Sequence, residues 1–315
     1  MKMVSFSSSQ TNQKVYRSLQ EIDGLSCARC GRKTITHKKI QEERHKIELD
    51  AKQAIDKLSQ KENIDSVAFH LLKKLSEDSP QKTVREIVAQ ENAQAALSQL
   101  CEEDKKEFRH LVKNATKMAL PAHLALKKIE EYKTLINPNK QIVFEELEVL
   151  AQKNKDKTLS EILKMPEVQE EYKAKAKHCI TTNNLSPRCR RNNPFRFFAQ
   201  NKNEDDKTIA EKLISGLENT FEHVKRNSNN GQRVQSNGIT LCFDCNNYIR
   251  ERKYPDVINE FPQMIKNTQK QIDEVIEYIN DGKLINHENY PEEIKQRLYD
   301  ESEHILNIDI SKLKK

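Results

Sequence analysis

The chain has 315 residues, of which 36% are apolar and 32% charged, with no Trp and a mean hydropathy of -0.86. No stretch approaches the roughly 18 consecutive apolar residues of a membrane-spanning helix, and six Gly with nine Pro are too few for a collagen-like or turn-rich all-β chain. Lys and Arg exceed Asp and Glu by 54 to 48, a net charge of +6 that selects no partner by itself and leaves a mainly helical protein with a thin core for its length.

Met1 to Gln10 is polar and serine-rich, with no apolar run of the kind a secretory leader needs. A cytoplasmic location is therefore expected, with the seven cysteines acting as thiols or metal ligands rather than as a disulfide framework. Weak helical character around residues 16–22 leads into a turn, Leu25-Ser26-Cys27-Ala28-Arg29-Cys30-Gly31. Residues 37–178 contain no Gly and carry apolar residues at helical spacing, among them Ile40, Ile47, Ile55, Leu58, Val67, Leu71, Leu72, Leu75, Val84, Ile87 and Val88. Ser79-Pro80 reads as a helix start, with Ser79 as N-cap. Further helices are expected at 103–118, 121–135, 143–153 and 157–177, giving a bundle of about six helices with short connections. Cys101 falls in an apolar stretch and reads as a core thiol.

Residues 179–203 read as an irregular loop. A short helix is expected at 206–217, then strands at 220–224 and 239–241 around a polar loop that contains Asn229-Asn230-Gly231. A helix should follow from Asn246. An amphipathic helix is expected at 257–280, with Pro262 moving its start a few residues later, and a last helix at 291–306. The order implies an N-terminal segment (1–36), an inserted helical bundle (37–178), a basic loop and compact core (179–255), and C-terminal helices (256–315).

Cys27-x-x-Cys30 and Cys242-x-x-Cys245 are the sharpest local signals. Four thiolates in two such pairs suit tetrahedral zinc, because each pair forms one turn that aims two sulfurs at one point. More than two hundred residues separate the pairs, against the ~15–20 of a compact zinc ribbon. Either the pairs are unrelated, redox-active or incidental, or a large helical unit is inserted between two halves of one site. No βαβ pattern surrounds either pair, which argues against a thioredoxin-like motif. His178-Cys179 with Cys189 offers a second, loosely spaced metal-ligand set.

Positive charge is uneven. Residues 171–255 hold 16 basic and 9 acidic side chains, an excess larger than that of the whole chain. Arg188, Arg190 and Arg191 cluster here, followed by Phe195, Phe197 and Phe198, while Lys225, Arg226, Arg250, Arg252 and Lys253 flank the strands and the second cysteine pair. Cations of this kind would meet phosphate, so nucleic acid is the expected partner.

The run Phe221-Glu222-His223-Val224-Lys225-Arg226, then Ser236-Asn237-Gly238-Ile239-Thr240-Leu241-Cys242-Phe243-Asp244-Cys245-Asn246, resembles the core of HNH endonucleases, and Cys27-Ala28-Arg29-Cys30-Gly31 resembles the first half of that family's zinc knuckle. The resemblance covers only about 25–31 and 220–255. It implies a small ββα-metal core with a split four-cysteine knuckle and a structural zinc ion on Cys27, Cys30, Cys242 and Cys245. It further implies catalytic residues Glu222, His223, Asn237 and Asn246. His223 would be the general base that activates water, and Glu222 and Asn246 would hold a catalytic Mg²⁺ or Mn²⁺. Adjacent strand residues face opposite ways, so the resemblance also implies a twist or bulge that turns Glu222 and His223 to one site. Two positions depart from common family usage: Glu222 replaces Asp, and Arg226 replaces Pro. The implied activity is hydrolysis of phosphodiester bonds in nucleic acid, DNA before RNA, with the helical insert free to bind substrate or a protein partner. A non-catalytic zinc module that binds nucleic acid or protein stays open beside it.

Overall fold

The computed structural model describes residues 19, 21–61, 64–182, 194–225, 231, 237–250, 252–284 and 289–314, without the side chains of 61, 178–182 and 194. The described chain is mainly helical with one two-stranded sheet, and no helix in it is long and apolar enough to cross a membrane. It divides into two compact units. One comprises Met1–Gln41, Thr134–Asn137 and Ile214–Lys315; the other comprises Glu42–Lys133 and Pro138–Leu213.

The second unit begins within α1 (His37–His45) and continues through α2 (Ala51–Lys61), α3 (Val67–Asp78), α4 (Val84–Val88), α5 (Glu91–Ser98), α6 (Glu102–Ala115) and α7 (Ala122–Lys128). Leu49, Ile55, Leu58, Phe69, Leu72, Ile87, Phe108 and Leu111 close over one another as its core. Ser79 ends α3 instead of starting a helix. The next helix starts at Thr83, whose hydroxyl accepts from Glu86 N while the Glu86 carboxylate accepts from Thr83 N. This reciprocal cap satisfies two helix-end donors, which Ser79-Pro80 could not do from outside the turn. Cys101 is an exposed N-cap for α6 and not a core thiol. Its sulfur accepts from Asp104 N at 3.5 Å and donates to Asp104 Oδ2 at 3.0 Å.

The unit continues through α8 (Pro138–Lys153), α9 (Leu159–Lys164), α10 (Pro166–Thr182), α11 (Pro194–Asn201) and α12 (Asp206–Ile214). The segment expected to be an irregular loop over 179–203 thus contains a helix. Phe198 is fully buried, and its ring stacks on Tyr172 at 4.0 Å. An aromatic pair that removes this much apolar area from water outweighs the breaking tendency of Pro194, which suits the first turn of a helix. The helical unit accordingly extends to Leu213.

In the first unit, β1 (Asn219–His223) pairs antiparallel with β2 (Gly238–Cys242). The chain then runs through α13 (Phe243–Ile249), α14 (Tyr254–Glu260), α15 (Gln263–Asn280) and α16 (Tyr290–Glu301). Helix α13 starts three residues before Asn246, with Cys242 at the N-cap position. Pro262 separates α14 from α15, and Ile265 is exposed. The core joins Leu25, Ile239 and Leu241 to Val257, Ile272, Val275, Ile276, Ile294 and Leu298. Residues 24–34 form a small hairpin, with Gly24 N to Thr34 O and Thr34 N to Leu25 O both at 2.9 Å.

Candidate functional site

The four cysteines meet. Cys27, Cys30, Cys242 and Cys245 present sulfurs that all lie within 4.8 Å of one another. Among the described residues no other group of three or more His, Cys, Asp and Glu is placed to hold an ion. Zinc–sulfur bonds of ~2.3 Å in a tetrahedron imply sulfur–sulfur edges of about 3.8 Å, and the Cys30–Cys242 edge is 3.8 Å. The donor set therefore fits a metal such as zinc.

Each half is preset by its backbone. Cys27 and Cys30 sit on the turn of the 24–34 hairpin, closed by Gly31 N to Cys27 O and Cys27 N to Arg32 O, both 2.8 Å. Gly31 has φ +73, and a Cβ there would lie 2.7 Å from Asn267 Oδ1. Glycine is thus needed both for the turn and for the approach of α15. Cys242 ends β2 and holds the N-cap position of α13, while Cys245 stands in the first helical turn.

Sulfurs this close cannot each keep an ordinary proton affinity. Burial pushes the Cys27 thiol up, and hydrogen bonds from Cys242 hold Cys30 well below the usual thiol range. Bound metal takes all four as thiolates. Four thiolates and one divalent zinc carry a net charge of -2, and two arginines lie against them. Arg29 Nη1 donates to Cys245 Sγ at 3.3 Å, with its guanidinium over both the Tyr248 and Phe261 rings, 3.9 Å from each centroid. Arg32 donates through Nε to Cys30 Sγ at 3.2 Å and through Nη2 to Cys242 Sγ at 3.5 Å. Its Nη1 reaches Leu135 O at 3.3 Å and lies 3.7 Å from Asp244. Burial opposes the charge on Arg32, but the neighbouring thiolates of Cys242 and Cys30 raise its pKa. Groups that orient metal ligands commonly contribute 10–100-fold in metal affinity. Arg32→Ala should therefore weaken zinc binding by about that factor, measured by competition with a chromophoric chelator.

A polar stripe on α15 holds the first half in place. Asn267 Nδ2 donates to Arg29 O at 2.7 Å and Thr268 Oγ1 to Ala28 O at 3.2 Å. Glu274 accepts from Ser26 N, Ser26 Oγ and Lys33 Nζ at 2.6–2.7 Å. Gln271 accepts from Thr240 N and donates to both Thr240 O and Ser26 O. The outer edge of β2 is thus covered by Gln271 and by Ala28, whose N–H donates to Thr240 O at 3.0 Å. None of these four α15 residues stands out in the sequence, because a polar stripe on an amphipathic helix reads as its wet face.

The Glu222–His223 pair lies on β1, which packs against α13, the helix that carries half-buried Asn246. Pairing is continuous from Asn219↔Cys242 to His223↔Gly238, with no bulge. Side-chain alternation therefore sends His223 to the face of Phe221, and Glu222 to the face of its partner Ile239. The bulge that would have turned the pair together is absent from β1. The Phe221 ring meets the His223 ring edge-on at 5.3 Å, in space that Gly238 leaves open. A Cβ on residue 238 would fall 1.6 Å from the Phe221 ring. Gly238→Ala should displace that ring and lower stability by about 1–3 kcal/mol, read by urea unfolding.

Asn237 is fully buried. Its Oδ1 accepts from Lys225 N and its Nδ2 donates to Lys225 O, both at 2.7 Å, while its own carbonyl accepts from Val224 N at 2.9 Å. Asn237 thus ties down the backbone just after His223. Among the expected phosphate contacts, Arg250 and Lys253 are exposed and Lys225 is half-buried. Arg252 is committed to Glu260, which also accepts from Tyr248. Arg188, Arg190, Arg191, Arg226, Cys189 and the side chain of Cys179 lie outside the described residues. Compared with protein-family models, with curated proteins and with solved structures, the chain matches none.

Proposed function

We propose that the first unit is a zinc-organised, HNH-type endonuclease core that hydrolyses phosphodiester bonds of nucleic acid, with DNA as the first substrate to examine. One observation carries the reading. An acid–histidine pair ends one strand of a hairpin whose second strand runs through one pair of the four-cysteine cluster into a helix, and the Asn237 side chain holds the Lys225 backbone. In this reading His223, its ring backed by Phe221, takes the proton from the attacking water. Glu222 and Asn246 supply hard oxygen donors for Mg²⁺ or Mn²⁺, which when bound would stabilise charge on the phosphate. Asn237 acts as a positioning residue through the Lys225 backbone. Exposed Arg250 and Lys253, with Lys225, supply phosphate contacts beside the hairpin.

The unbroken pairing of Glu222 and His223 favours a second reading, a zinc module that keeps the fold and binds nucleic acid or protein without hydrolysis. Zinc-loaded full-length protein, incubated with plasmid DNA and with RNA in Mg²⁺ or Mn²⁺, separates the two. Cleavage that depends on the divalent ion supports the nuclease. Oligonucleotide binding without cleavage of any substrate supports the module.

A further inference from the structure

A groove of about 730 Å³ lies in the second unit among α4, α5 and α6. Its lining along α6 and its C-cap runs from Glu102 to Thr116, a span of about 21 Å at 1.5 Å per residue. The floor is apolar: Val88, Leu97 and Val112 pack half-buried against the core around Phe108. The rim is cationic, because Arg85, Lys105, Arg109 and Lys113 line the groove with Glu102 as the lone acid. Glu102 is engaged by Lys105 at 2.9 Å. Arg109 and Lys113 are exposed and make no salt bridge among the described residues. They stand one turn apart on one face of α6, about 6 Å along its axis.

We infer that this groove docks an acidic amphipathic helix of a protein partner. An apolar floor bordered by a ladder of cations fits a helix with an apolar stripe flanked by carboxylates at i and i+4. The length favours this occupant over a compact ligand, because the same volume drawn out along four turns of α6 is narrow. A nucleic-acid backbone would satisfy the cations but leave the floor without an apolar partner. The inference is independent of the nuclease reading, since every lining residue belongs to the second unit.

The test is fluorescence anisotropy of full-length protein with a labelled 18-residue designed helix, Leu at i, i+3, i+4, i+7 and i+11 and Glu at the flanking positions. A same-composition peptide with scrambled Leu positions, a Lys-for-Glu helix and an oligothymidylate are the comparators. Saturable binding of the acidic helix alone is expected, weakened about tenfold or more by combined Arg109→Glu and Lys113→Glu. Both positions are exposed, and circular dichroism of the double variant checks its helices. Lys113→Gln, a milder change, should weaken binding in the same direction. Equal binding of the scrambled or Lys peptide, no binding of the acidic helix, or an oligothymidylate signal that the double variant removes in its place would overturn the proposal.

Discussion

Full-length protein should purify with one zinc ion per chain, and Cys242→Ser should lose both the metal and the fold of the first unit. Structural zinc in small sites contributes an apparent ~10–16 kcal/mol, comparable with or larger than the ~5–15 kcal/mol that keeps a typical domain folded. Here the ion would tie a hairpin near the start of the described chain to the end of β2, and Cys27, Cys242 and Cys245 are themselves members of the hydrophobic core. Removing one ligand leaves three crowded thiols and two arginines without the charge they balance. Metal content by atomic emission, thermal unfolding and limited proteolysis provide the readout. The second unit has its own core, so its transition should persist. Cys101→Ser is the control. Cys101 is an exposed cap and Ser is a preferred N-cap residue, so metal content and melting should stay at wild-type values.

His223→Ala should reduce divalent-dependent cleavage by about 10²–10⁴-fold, the usual contribution of a positioned general base. Zinc content and unfolding should change little. His223 is the last paired residue of β1, only half-buried, and not a member of the four-sulfur cluster. The comparison therefore separates chemistry from folding, which substitutions at Asn237 or Gly238 cannot do. Asn237 holds the Lys225 backbone at both ends of its amide, and Gly238 makes room for Phe221.

The four-cysteine cluster was legible in the sequence because its chemistry is local. Each Cys-x-x-Cys is one turn long, and two such turns suit the four corners of one tetrahedral ion. What closes the long gap was not legible. Asn267, Thr268, Gln271 and Glu274 contact backbone groups more than two hundred residues away, and nothing in a polar helical stripe names its partner. Nothing in the sequence assigned a role to Arg29 and Arg32 beside the first pair. Their role depends on where Cys242 and Cys245 arrive. Cys101 and Ser79 misled for a different reason. Both were assigned by neighbouring residue types, whereas helix ends are set by which side chain can reach an unpaired backbone N–H. Phe198 likewise looked like part of a basic loop, until Tyr172 provided the face against which it stacks. The Glu222–His223 pair was singled out by the resemblance, but its orientation rests on pairing register, which a local motif does not encode.

The most direct test of the nuclease reading is cleavage of supercoiled plasmid, with an RNA substrate in parallel, by wild type and His223→Ala at equal zinc content, with and without Mg²⁺ or Mn²⁺. Nicking or linearisation by wild type only when the divalent ion is present, with at least a hundredfold loss in the variant, is the predicted result. Identical products from the two proteins, or none from either on DNA and RNA, would contradict it.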